Sequence, residues 1–347
     1  MFFKKDRHII GLDIGSRDIK AVELENCGGT YRITQLASKP VNGEQQKAEV
    51  LRQMMRETPF RTNRVVTAVS GRSVIVRYIT MQLMNDSDLK TAIHYEADKY
   101  IPFGLDEVVI DCARLPIENE AHAAPNEMKI LLVAVKRQLV EEHLGMLREA
   151  NLQPVVIDVD SFALGNAFEA ASELNPRMEE PKVVGLVDIG GSKTNINVIV
   201  GKTSYFTREV YLGGNDLTNA IAKRRGVGQM EAENIKTEST VALEDINEDV
   251  GLALDDLGNE IQLSLDYFEN QFESEVNEVL LTGGTSRMKG LEQALGGTFQ
   301  KPTRVWNPLE SVPLGNTAIP ADYIRRVGPQ MAVALGLASR IRKDVRR

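Results

Sequence analysis

Two stretches about half a chain apart share one pattern of apolar and polar positions. Residues 9–16 read Ile-Ile-Gly-Leu-Asp-Ile-Gly-Ser, and residues 184–192 read Val-Gly-Leu-Val-Asp-Ile-Gly-Gly-Ser. Each is an apolar run closed by Asp, one apolar residue and Gly. Each continues into a second apolar segment: Ile19, Ala21, Val22 and Leu24 after the first, Ile196, Val198, Ile199 and Val200 after the second. The β-branched content and the alternation predict strands, and the glycines predict a tight turn between them. A strand–turn–strand unit that recurs in this way predicts two similar lobes facing each other.

Between the copies, residues 63–152 read as an inserted α+β unit of order β-β-α-β-α. Strands are expected at 65–70 and 73–78 around a turn at Gly71-Arg72. A helix is expected from 87 to 100, with Leu89, Ile93 and Tyr100 on one stripe, ended by Pro102. A strand at 129–135 and a helix at 137–150 follow, and the polar, Ala-rich stretch 118–125 reads as an exposed loop. In the second half, Asn215 is expected to cap a helix that ends in Lys223-Arg224-Arg225 before Gly226. Leu254, Leu257, Ile261, Leu265, Phe268 and Phe272 mark one long amphipathic helix, and this stripe reads as core. A buried strand, 278–281, runs into Thr282-Gly283-Gly284-Thr285, and a last helix spans about 329–341. The expected domains are a first lobe of 1–62 and 153–180, the insert of 63–152, and a second lobe of 181–347 with a small helical subdomain at about 215–275.

Composition narrows the function. The 347 residues are 42% hydrophobic and 26% charged, enough for ordinary cores and too mixed for a disordered chain. A net charge of −8 argues against a nucleic-acid partner held through phosphates. The basic end, 340–347, reads as a solvated helix end. Cys27 and Cys112, with no CxxC, support neither a disulfide framework nor a zinc site, and suit a reducing cytosol. No signal peptide or run of about 20 apolar residues occurs, so any membrane contact is expected through a partner.

The two turns carry the candidate chemistry. Glycine-bearing turns present backbone N–H groups to a phosphate chain at close range. Asp13, Gly15 and Ser16 form one such set, and Asp188, Gly190, Gly191, Ser192 and Thr194 the other. Asp13 and Asp188 are placed to hold Mg²⁺ through water, because Mg²⁺ dehydrates reluctantly. Lys20 leaves the first turn within reach of a phosphate. A P-loop is excluded because Lys193 follows Ser192 and not Gly, and no GxGxxG occurs. Three further stations suit a nucleotide: Gly213-Gly214 before a helix, Glu233 and Lys236 on one helical face, and Gly283, Gly284 and Thr285 at a strand's carboxyl end. The plainer readings are a simple connection for the first and an exposed ion pair for the second. Asp158 and Asp160 follow a strand that crosses between lobes. Either could orient a water for hydrolysis, and the plainer reading is a turn residue and a helix cap.

The order of these stations resembles the superfamily of actin, FtsA, heat-shock chaperones and sugar kinases. Within it the chain resembles the PilM family, FtsA-related actin-like proteins of type IV pilus assembly. The resemblance covers essentially the whole chain, through Gly11 to Leu24, Val156 to Leu164, Leu281 to Gly284 and, most specifically, Glu96-Ala97 with Tyr100-Ile101-Pro102-Phe103. It implies two ribonuclease-H-like lobes with an FtsA-type subdomain in the first, and ATP with Mg²⁺ as cofactors. It implies a cytoplasmic protein peripheral to the inner membrane, whose groove between first lobe and insert takes the N-terminal tail of PilN. Other platform and motor proteins, and self-association, are further implied partners. Turnover of ATP is expected to be slow. Arg17-Asp18 is a departure, since relatives often carry small residues there. A small-molecule kinase or phosphatase of the superfamily and an FtsA-like filament former are the alternative readings.

Overall fold

Both copies of the repeated pattern fold as antiparallel hairpins, and each hairpin lies at the centre of its own sheet. The computed structural model describes residues 7–28, 30–41, 46–115, 126–174, 183–237, 241, 243–317 and 319–340. The expected loop at 118–125 and the basic residues 341–347 lie outside these. The chain divides into two compact units: Met1–Ala68 with Glu149–Arg347, and Val69–Arg148.

In the larger unit the first sheet comprises β1 (His8–Ile14), β2 (Asp18–Asn26), β3 (Tyr31–Pro40), β4 (Arg64–Val69) and β8 (Gln153–Val159), in the order β3-β2-β1-β4-β8. The second comprises β9 (Val183–Ile189), β10 (Thr194–Val200), β11 (Thr203–Val210), β12 (Glu278–Thr282) and β13 (Thr303–Val305), in the order β11-β10-β9-β12-β13. The two orders are the same, strand for strand. β1 pairs antiparallel with β2 and parallel with β4, as β9 does with β10 and β12. Ile9, Ile10 and Leu12, like Leu186, Val187 and Ile189, are buried irrespective of which face they point to. Central strands covered on both faces read as unbroken apolar runs, which is why they stand out in the sequence.

Helix α4 (Asp160–Leu174) leaves β8 and packs on the second sheet, where Phe168 meets Trp306 edge-on at 5.8 Å. Helix α10 (Ala332–Ser339) is buried all round. It lies flush on its neighbours because Gly336 abuts the Ala163 carbonyl and Gly11 abuts that of Ala334; a Cβ on either glycine would come within 2 Å of those oxygens. The expected helix from 329 begins instead as a 3-10 turn, Gly328–Met331. Around the sheets lie α1 (Lys47–Glu57), α5 (Gly214–Arg225), α6 (Gln229–Thr237), α7 (Leu243–Phe272), α8 (Leu291–Phe299) and α9 (Ala321–Val327). α7 buries Leu254, Leu257, Ile261, Leu265 and Phe268 of the expected stripe, leaves Phe272 partly buried against the same core, and starts earlier, through Ile246 and Val250.

The smaller unit holds β5 (Val74–Gln82), α2 (Asp86–Glu96), β6 (Val108–Arg114), β7 (Glu127–Lys136) and most of α3 (Arg137–Glu149), with sheet order β5-β7-β6. Two expectations are corrected here. The strand at 65–70 joins the first-lobe sheet beside β1, and the insert gains β6, which the sequence reading missed. β6 is an edge strand in which only Val108 is buried and the exposed positions carry Val109 and Ala113 as well as Asp111 and Arg114, so apolar and polar residues do not alternate in the sequence.

Candidate functional site

The register of β1 on β2 sets Asp13 opposite Lys20, and the Lys20 ammonium donates to Asp13 Oδ2 at 2.6 Å. The turn between them is closed by the Gly15 N–H donating to the Asp18 carbonyl. In the second copy Asp188 faces Asn195, and the Gly190 N–H donates to the Lys193 carbonyl. The two turns meet. A Cβ on Gly191 would lie 2.7 Å from Arg17 Cγ and 3.0 Å from Ser16 Oγ. Glycine is required at 191 by this approach. Ser16 and Ser192 sit exposed at the two turn tips, with no hydrogen bond from either side chain to another described residue.

Asp13, Lys20 and Asp188 form one electrostatic cluster. Burial pushes the Asp188 carboxyl up to about 6, with Asp13 adding repulsion and Lys20 and the Thr282 hydroxyl, 3.0 Å away, opposing. Burial works against the Lys20 charge, but Asp13 and Asp188 outweigh it and raise its pKa. Beside the first turn, burial raises the Asp18 carboxyl, partly offset by Lys20, Arg287 and Arg17.

The second-half stations are knitted to the second turn. Gly214 and Asn215 donate their N–H groups to the carbonyls of Gly190 and Gly191 at 2.9 and 2.7 Å. Gly213, and not Asn215, caps α5: its N–H donates to Asp216 Oδ2 and its carbonyl accepts from the Asp216 N–H. Asn215 lies inside the helix because the Gly213–Asp216 exchange satisfies the first turn more closely. These amides, expected to face a phosphate, are therefore engaged within the protein. Thr194 is buried, its hydroxyl donating to the Leu212 carbonyl, and the Thr285 hydroxyl donates to the Gly190 carbonyl at 3.1 Å. Both act as struts between loops.

Glu233 and Lys236 do pair, at 2.8 Å, but not as an exposed ion pair. The Lys236 ammonium is buried and also donates to the Gly214 carbonyl and Thr218 Oγ1, each at 2.9 Å. Burial lowers its pKa, with Arg17 and Arg287 adding repulsion and Glu233 opposing. Burial would raise Glu233, but Lys236, the Thr218 hydroxyl at 2.6 Å and Arg17 hold it below the usual carboxylate range. Gly283 has φ of +90°, and a Cβ there would lie 2.4 Å from the Ile189 carbonyl oxygen. The backbone that comes close to Gly283 is thus β9. Gly284 is open and, with Lys236, Thr285, Arg287, Lys289 and Arg326, lines a pocket of about 660 Å³.

Asp158 and Asp160 part company. Asp158 Oδ2 accepts from Arg340 Nε at 2.9 Å and so ties β8 to the residue that follows α10. Asp160 opens α4 and accepts at Oδ2 from Lys193 at 2.5 Å and Asn195 at 3.0 Å. Lys193 also donates to Glu209 at 2.6 Å. Burial raises the Asp160 carboxyl, against the pull of Lys193. Its Oδ1 and the Asn195 Oδ1 are buried acceptors with no partner.

The sequence reading did not find Lys193, Thr218, Asn215 or Thr282 as partners. Their signals were ambiguous: Lys193 stood out only as a failed P-loop lysine, and the others are joined to the site across long stretches of chain. Arg17 stood out as a departure from the resembling family. Its Nε donates to Asn215 Oδ1 at 2.7 Å and its terminal nitrogen lies 3.3 Å from Glu233 Oε2.

Duplicated sheets of one strand order, with two Asp-x-Gly turns facing each other between them, define the actin-like ATPase fold. The ethanolamine utilization protein EutJ of Carboxydothermus hydrogenoformans shares it at 15% identity and a TM-score of 0.56, over 96% of this chain and 89% of that one. MreB5 of Spiroplasma citri, in a structure bound to ADP, shares it at 12% and 0.55, over 99% of each chain. The structure described as the PilM-PilN type IV pilus biogenesis complex matches at 30% identity and a TM-score of 0.83, over 96% of this chain and 98% of that one. The family described as type IV pilus assembly protein PilM matches residues 11–342. The chain belongs to that family. No helix among the described residues is long and apolar enough to cross a membrane.

Proposed function

We propose that this protein is an ATP- and Mg²⁺-binding scaffold of the type IV pilus inner-membrane platform, acting on the cytoplasmic side and binding the N-terminal tail of PilN. The observation that carries the nucleotide reading is the meeting of the two turns, Gly191 against Ser16 and Arg17, with Asp13, Lys20 and Asp188 coupled between them. The PilN reading is supported by the 30% likeness to a structure described as a PilM-PilN complex.

The residues present fit the cofactors. When bound, ATP with Mg²⁺ supplies phosphate oxygens and a hard cation for both turns to grip. Ser16 and Ser192 offer free hydroxyls at the turn tips, and Lys20 offers a cation. Asp13 and Asp188 provide two carboxylates, and no group of three or more His, Cys, Asp or Glu suited to a metal occurs among the described residues. Two carboxylates suit a metal that keeps most of its water. Burial raises the Asp188 carboxyl to about 6, and a divalent cation beside it would favour the ionised form. Gly284, Thr285 and the pocket next to them would take the base end. The struts through Thr285, Lys236 and Gly214 then link that end to the Gly190 turn. Differential binding of the two nucleotide states is what would couple them to PilN.

A labelled PilN N-terminal peptide should bind the full chain tightly with Mg²⁺–ATP, and more weakly without it or with Asp13→Ala. Binding indifferent to both would leave a scaffold with a structural nucleotide. Absence of peptide binding while ATP binds would overturn the scaffold reading.

A further inference from the structure

We infer that Arg17 is a positioning residue that clasps the two halves of the site together, so that the gap between the turns is preset by the protein's own contacts. Arg17 is anchored on both sides. Its carbonyl accepts from the Val41 N–H at 2.7 Å, which ties the turn to the end of β3. Its side chain reaches α5 through Asn215 Oδ1 at 2.7 Å and α6 through Glu233 Oε2 at 3.3 Å. Its stem lies where a Cβ on residue 191 would be, so the bare Gly191 is what admits it.

This is more than a surface ion pair. Side-chain exposure is 35% for Arg17 and 26% for Glu233, so both ends are shielded, and the guanidinium engages two acceptors on two helices. The planar fork does this with two separate nitrogens, Nε and a terminal one, in a fixed geometry, whereas a lysine would have to bring both acceptors to one nitrogen on a shorter stem. Glu233 is kept ionised to receive it by Lys236 and the Thr218 hydroxyl. Asn215, in turn, donates its N–H to the Gly191 carbonyl, so the clasp bears on the second turn itself. Presetting the gap lowers the ordering cost of any ligand held by both turns. That consequence rests on the proposed nucleotide reading; the clasp does not.

Hydrogen–deuterium exchange of the full chain tests it, with wild type, Arg17→Ala, Arg17→Lys and Glu233→Gln, each with and without saturating Mg²⁺–ATP. Without nucleotide, Arg17→Ala should speed exchange across 15–18, 190–193 and 213–216 by about tenfold, the size expected for losing charge-assisted bonds. Arg17→Lys should not restore protection, Glu233→Gln should show the same pattern more weakly, and the centres of β1 and β9 should stay protected in all. Affinity for Mg²⁺–ATP should fall by a similar factor in Arg17→Ala. Unchanged exchange in Arg17→Ala, or full protection in Arg17→Lys, overturns the clasp. If exchange rises as expected while Mg²⁺–ATP binds no variant, the clasp stands and the nucleotide reading fails. If wild type binds Mg²⁺–ATP and Arg17→Ala exchanges like wild type, the reverse holds.

Discussion

Asp188→Asn should make the nucleotide-free protein more stable, and only above a definite pH. Burial lifts the Asp188 carboxyl from 3.8 to about 6. A raised acid binds its proton more tightly in the folded chain than in the unfolded one. Its contribution to stability is therefore greatest below about pH 4, is lost progressively as the pH rises to about 6, and stays lost above that. A shift of this size corresponds to a cost of roughly 3 kcal/mol at neutral pH. Asn is near in shape, keeps an acceptor for the Thr282 hydroxyl and carries no charge. Lys20 keeps its partner in Asp13, 2.6 Å away. The variant should match wild type near pH 4 and exceed it by up to roughly 3 kcal/mol at pH 8, an upward shift of roughly 5 °C in thermal midpoint. Trp306 is the chain's one tryptophan and is buried in the larger unit, so its fluorescence reports unfolding of the part that holds Asp188. Urea titrations followed at Trp306 from pH 4 to 8, with and without Mg²⁺–ATP, give the comparison. Nucleotide should stabilise wild type and leave the variant unmoved. Equal or lower stability of the variant at pH 8, or a difference that does not change with pH, would refute the reasoning.

Other changes test the frame around the turns. Lys236→Met should destabilise the larger unit by about 3 kcal/mol, because Glu233 loses its nearer cation and keeps only Arg17, and the Gly214 carbonyl and Thr218 Oγ1 lose a buried donor; Trp306 fluorescence in urea measures it. Gly283→Ala should cost more, since the added methyl meets the Ile189 carbonyl and φ is +90°. Its soluble yield and thermal midpoint should drop together, whereas Gly284→Ala, with open space around it, should leave both near wild type.

What the sequence determined by itself was the frame. The two Asp-x-Gly turns, the strands on either side of them and the α7 stripe were legible because burial on fixed faces forces a local pattern, and because the pattern occurs twice. The Glu96-Ala97 and Tyr100 to Phe103 run added the family. Only the tertiary structure decided which polar groups are spent. Thr194, Thr285 and Lys236 belong to the expected stations, yet their polar atoms are engaged by neighbouring elements, since buried donors and acceptors must find partners wherever the fold brings them. Asp158 and Asp160, two residues apart, face Arg340 and Lys193, residues remote in sequence. Arg17 shows the same limit. Nothing local says that an arginine in the first turn meets Asn215 and Glu233, about 200 positions along, because no spacing rule reaches across two lobes.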